Sequence, residues 1–171
     1  MELMTVDVRV GPILKEYIIA SSGSDVLVPE KDTVLWALLK QHLVTCPTTY
    51  VPITDRTEYI QIALRTTKAA ATYSVVSERK LLINTLFRSF LTNSGQNVIR
   101  RHFAKEFKKS FRDYMKGALN NNSSIQIKDA IEKFCEDNKV TMNKISYEML
   151  KKDWYRFSKK NNAQSVCTLI F

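Results

Sequence analysis

Residues 99–118, "IRRHFAKEFKKSFRDYMKGA", carry two opposed surfaces on one repeat. At about 100° per residue, Ile99, Phe103, Phe107, Phe111, Tyr114 and Ala118 gather on one side of a helix. Arg101, Lys105, Lys108, Arg112 and Lys116 gather on the other, all within roughly 60° of Arg101. A strand, with its period of two, would scatter both sets. The segment is therefore a helix, expected over about 96–119, with an aromatic stripe for a core and a cationic stripe outside. Between 100 and 116 there are seven cations, Arg100 and Lys109 included, against two acids, Glu106 and Asp113, which lie toward the margins. Like charges at i, i+4 oppose a helix by a few tenths of a kcal/mol per pair. A stripe that keeps them predicts an anion-binding face, and a solvated face is the plainer alternative. The phenylalanines sit on the buried-type stripe, so they are read as core and not as a base-stacking platform.

The charge of the whole chain is placed to match. Residues 1–64 hold five Lys/Arg against eight Asp/Glu, and residues 65–171 hold twenty-one against nine. The net charge of +9 thus belongs to the second part. An anionic partner is expected, duplex DNA ahead of an acidic protein, with no membrane partner. At 171 residues and 44% hydrophobic, the chain suits one domain or two small ones with a real core.

The expected fold class is α+β: a small N-terminal β-α-β-α-β unit over 1–70, then a mainly helical, basic part over 71–171. "TVDVRV" alternates, with Val6, Val8 and Val10 on one face. "GPILKEYIIAS" follows as a helix with Pro12 in its first turn and Ile13, Leu14, Tyr17 and Ile18 at helical spacing. "VLVP" is a short strand closed by Pro29. Asp32 or Thr33 can cap "VLWALLKQHL", where Leu35, Leu38, Leu39 and His42 recur at threes and fours. "EYIQIAL" alternates as a third strand. The boundary falls in "RTTKAAATYS", 65–74, where charge and pattern change together. The N-terminal unit is then expected to serve dimerisation or partner recognition.

Beyond it, a helix is expected over about 75–92, with Leu82, Ile83, Leu86, Phe87, Phe90 and Leu91 as its apolar side. "NSG" at 93–95 is expected to stop it, with Gly95 as C-terminal punctuation. Helices over about 125–138 and 146–160 complete the chain, with Ser146 as the N-cap of the second. In that second helix Tyr147, Leu150, Trp154 and Phe157 keep the spacing of a buried seam. Lys152, Arg156, Lys159 and Lys160 lie opposite, with Lys151 and Tyr155 flanking. The preceding helix is acidic on its exposed side through Asp129, Glu132, Glu136 and Asp137. An acidic helix followed by a basic one suits a helix-turn-helix-like pair in which only the second meets DNA. The connector "KVTMNKI" is longer than the usual three or four residues.

Two stretches, "YIQIAL…TYSVVSERKLLINTLFRSF" and "AIEKFCEDNKVTMNKISYEMLKKDWYRF", together with "VGPILKEYIIAS", resemble uncharacterised proteins of Bacteroidetes phages and mobile elements. The resemblance spans most of the chain. It implies a small cytoplasmic accessory protein of such an element, in regulation or replication. It assigns no residue a role.

Catalytic signatures are missing: the chain has no GxGxxG, Walker loop, HExxH or GxSxG. His42 and His102 stand in separate segments. Cys46, Cys135 and Cys167 form no CxxC pair, which argues against a disulfide framework or zinc site and for reduced thiols. No cofactor is expected. The longest apolar run, "VLWALL", falls far short of the roughly 18 residues of a span. Glu2 and Asp7 suit no leader peptide, and Cys167 stands fifth from the end, outside a prenylation box. The expectation is a non-enzymatic, cytoplasmic DNA-binding accessory or regulatory protein. A structural or interaction protein that binds an acidic partner is the alternative.

Overall fold

The computed structural model describes residues 5–47, 53–64, 90–122 and 124–167, with side chains as far as residue 160. It is a mixed α+β structure in which helices dominate. The order is β1 (Thr5–Arg9), α1 (Pro12–Ser22), β2 (Val26–Leu27), α2 (Val34–His42), β3 (Leu43–Val44), β4 (Tyr59–Ala63), β5 (Phe90–Leu91), α3 (Asn93–Asn121), α4 (Ile127–Asp137) and α5 (Lys144–Cys167). The expected boundary at 65–74, and nearly all of the helix expected over 75–92, lie outside the described residues.

One sheet has the order β1-β4-β2, with β1 antiparallel and β2 parallel to β4. Val6 stands opposite Ile62 and Val8 opposite Ile60, so the alternating apolar residues of both strands share the buried face. α1 enters on Pro12 and ends at Gly23, whose φ of 71° is the left-handed conformation that glycine adopts without a Cβ penalty. Thr33 caps α2, its hydroxyl accepting from the Trp36 amide at 3.2 Å.

Around residue 90 the chain departs from its pattern. Phe90 and Leu91 are not the end of a helix; they form β5, paired antiparallel with β3. "NSG" then begins α3 where a stop was expected, because the Thr92 hydroxyl accepts from the Gly95 amide at 3.1 Å and caps the new helix. Gly95 is thus not C-terminal punctuation but part of the first turn of α3. A Cβ there would lie 2.8 Å from the Cβ of His42, so glycine lets α2 and α3 approach closely.

α3, 29 residues long and so about 44 Å, is the axis on which the rest packs. One buried cluster runs from Val8 and Ile60 in the sheet through Ile99, Phe111 and Met115 to Ile131, Phe134 and Leu150. Phe134 of α4 meets Phe111 edge-on at 5.1 Å and Tyr114 at 5.3 Å, while Tyr17 of α1 meets Phe107 at 4.8 Å. The aromatic stripe read from the sequence is therefore the contact surface of both flanking helices.

The connector between α4 and α5 is fixed at both ends. Lys139 takes a left-handed φ of 51°, with its amide bonding Glu136 O and the Val140 amide bonding Cys135 O, a Schellman closure. Asn143, not Ser146, caps α5: its Oδ1 accepts from the Ser146 amide at 2.9 Å while Ser146 Oγ accepts from the Asn143 amide at 2.8 Å. This reciprocal box makes Ser146 the third residue of the helix and buries it completely. Between these ends, Thr141 donates its amide and hydroxyl to the two carboxylate oxygens of Glu16, tying the connector to α1.

Candidate nucleic-acid interface

The cationic stripe of α3 faces α5, not open water alone. Arg112 donates from Nε and Nη2 to the two oxygens of Asp153 on α5, both at 2.8 Å. Lys108 Nζ stands 3.8 Å from the same carboxylate. The compensation that the local sequence of α3 lacks thus arrives from another helix. Hydrogen bonding to Asp153 also raises the affinity of Arg112 for its proton. One turn further on, Arg112 and Lys116 lie over the ring of Phe157, at 5.0 and 4.9 Å from its centroid.

These contacts shape an open groove. Arg101, Lys105, Lys108, Lys109, Arg112 and Lys116 line it, Ala104 and Phe157 give it an apolar floor, and Asp113 contributes one acid of its own. Phe157, expected in the buried seam, is only half-buried for this reason. Lys105, Lys108, Lys109 and Lys116 are exposed, while Arg112 is held half-buried by its ion pair.

The cations of α5 divide into two sets. Arg156 follows Asp153 by three residues and Lys160 by seven, a spacing that puts them on the same side of α5 as Asp153. Lys152, Tyr155 and Lys159 are exposed and lie on the far flank, and Lys151 rests its ammonium 5.4 Å from the centre of the Tyr147 ring. The thirteen residues singled out by sequence therefore do not form one surface. Six line the groove, two stand beside it on α5, and Lys151, Lys152, Tyr155 and Lys159 face elsewhere. Arg100 lies at a neighbouring apolar cavity instead.

Asp153 is the residue that sequence reasoning missed. Its position one residue before the buried Trp154, at the margin of the seam, was the available signal.

His102 is half-buried beside Phe103, and His42 packs against Gly95. Cys135 is buried, and that burial, with Glu132, Glu136 and Glu16 adding to it, pushes its thiol up to about 11. Among the described residues no group of three or more His, Cys, Asp or Glu is placed to hold a metal ion. None of the described helices is long and apolar enough to cross a membrane. No protein-family model, no curated protein and no solved structure matches this chain.

Proposed function

We propose that this protein is a DNA-binding accessory or regulatory protein of a phage or mobile element, holding the phosphate backbone in the groove between α3 and α5. The observation that carries this reading is the lining of that groove: six cations from one helix, a single acid of its own, and an apolar floor. Spacing supports it as well, because cations on successive turns of a straight helix recur at about 5.4 Å, a repeat that can follow a phosphate chain. In this reading Lys160 extends the track from the α5 side, and Arg156 is left to meet base edges. The acidic α4 and basic α5 act as a helix-turn-helix-like pair whose second helix reaches the groove of the duplex. The N-terminal unit serves dimerisation.

One observation favours the second reading, an acidic protein partner: Ile145 and Met149 of α5 are 77% and 41% exposed. Apolar side chains beside a cationic stripe suit a protein surface better than phosphates. Salt dependence separates the two. Anisotropy of a labelled duplex across a salt series is expected to give a log–log slope of about −4 to −5, for about five phosphate contacts. Failure to bind duplex at low salt would transfer the groove to the protein-partner reading.

A further inference from the structure

Next to the cationic groove lies a second hollow with a larger apolar wall. It is a cavity of about 410 Å³ between the start of α1, the first half of α3 and the start of α5. That volume falls in the range of small-molecule sites, which run from about 300 to 1,000 Å³. Leu14, Phe107 and Leu150 line it from the buried core. Ile13 and the exposed Met149 complete an apolar wall.

The charge around this wall is cationic. Arg100, Arg101 and Lys108 all line the cavity. Its one acid, Asp153, already has both oxygens committed to Arg112. Among the described residues neither Arg100 nor Arg101 forms an ion pair. An apolar wall beside two uncommitted guanidinium groups complements one kind of small molecule, an alkyl or aryl body with a single anionic head. An uncharged hydrocarbon would leave the arginines unused, and an inorganic anion would leave the wall unused.

We propose that this cavity is a binding site for a small amphipathic anion of the alkyl carboxylate class. The body lies against Ile13, Leu14, Phe107 and Leu150, and the carboxylate meets Arg101 and Arg100 with charge-assisted hydrogen bonds. Arg101, Ala104 and Lys108 line both this cavity and the groove. A bound carboxylate therefore takes cations that a phosphate backbone would use, and the site is an effector site that opposes polyanion binding. That last step rests on the DNA-binding reading, whereas the ligand site itself does not.

The test titrates the full chain with octanoate and follows side-chain methyl resonances by NMR. Saturable shifts are expected at Ile13, Leu14, Met149 and Leu150. Binding should tighten about fourfold per added methylene from hexanoate to octanoate. The uncharged 1-octanol should bind about tenfold more weakly, for loss of the charge-assisted hydrogen bonds. Arg101→Gln should weaken octanoate while leaving octanol unchanged. Met149→Glu, at an exposed position that tolerates it, should weaken both without a change in melting temperature. The proposal is overturned if the methyl shifts do not saturate, if they scatter over the whole protein, or if octanol binds as well as octanoate. Octanoate should also displace a bound duplex. Saturable octanoate binding in a protein that binds no duplex would leave the cavity standing and remove the DNA reading alone.

Discussion

Arg112 and Asp153 face one another end to end across α3 and α5, two nitrogens against two oxygens, both at 2.8 Å. The pair sets how much of the cationic stripe is free, because Asp153 holds Arg112 and draws Lys108 toward it. Asp153→Asn is expected to release one further cation to a phosphate backbone. Affinity for duplex DNA should rise about fivefold near physiological salt, with the salt slope steeper by about one. Stability should fall by about 1 kcal/mol, since the pair is only partly buried. Anisotropy and urea denaturation on the one variant read both effects, and a loss of affinity would contradict the assignment.

The two basic helices should separate by mutation. Lys105→Gln with Lys109→Gln should weaken every duplex alike and flatten the salt slope by about two units, because phosphate contacts carry no sequence information. Arg156→Ala should instead reduce preference among sequences, by about 1–3 kcal/mol if it makes a bidentate guanine contact. Lys128→Gln, on α4 and paired there with Glu132, is the control that should change neither. Selection from a randomised duplex pool, run on all three, distinguishes these outcomes. Equal, sequence-blind losses from the first two would end the recognition role of α5.

Trp154 is 8% exposed and touches Phe157 at 5.8 Å between ring centroids. Trp154→Ala should cost about 3–5 kcal/mol, as large aromatic truncations do. Arg156→Ala, two residues along on an exposed face, should leave the melting temperature nearly unchanged. A thermally silent Trp154→Ala would invert the faces of α5.

Two glycines of α3 should respond with opposite signs. Gly95→Ala drives a methyl to 2.8 Å from the His42 Cβ, which cannot swing away, so it should destabilise by about 1–3 kcal/mol. Gly117 has nothing within 4 Å of a Cβ, and Gly117→Ala should stabilise by up to about 1 kcal/mol through helix propensity alone. Thermal denaturation of the pair checks the α2–α3 approach directly.

Cys135 supplies a pH dependence. Its thiol is held protonated in the fold up to about 11, against 9.0 when unfolded. Above pH 9 the unfolded chain gives up a proton that the native chain keeps, so stability should fall between about pH 9 and 11 and level off beyond. The loss is about 2–3 kcal/mol. Urea midpoints from pH 8 upward, compared with Cys135→Ala, isolate this share of the slope. Equal slopes in the two proteins would mean that the thiol titrates freely.

Local pattern was enough wherever one face of an element had to be apolar. Val6, Val8, Ile60 and Ile62 alternate, and they are buried in paired strands. Leu14 and Ile18, and Phe107 and Phe111, recur at helical spacing, and they are buried on α1 and α3. The reading of 90–95 failed because "FLTNSG" offers two local solutions, a helix end or a helix start. Pairing of β5 with β3, some 46 residues earlier, goes with the helix start, which Thr92 caps. Ser146 was misplaced for a similar reason: Asn143 and Ser146 both can cap, and the reciprocal box selects the earlier residue.

For the site, the sequence by itself determined that α3 would carry aromatics on one side and cations on the other, since a helix of fixed pitch converts spacing into direction. It also determined that Trp154 would be buried and Arg156 exposed. Only the tertiary structure decided what stands opposite the cations. Spacing within a helix holds no information on which side chains of another helix come within hydrogen-bond reach. The packing of α5 brings Asp153 to Arg112 and Phe157 beneath Lys116, turning a uniformly charged stripe into a groove with a partly neutralised middle. Coulomb energy falls with distance and with solvent screening, so that placement, and not the count of lysines and arginines, sets which cations are free to bind.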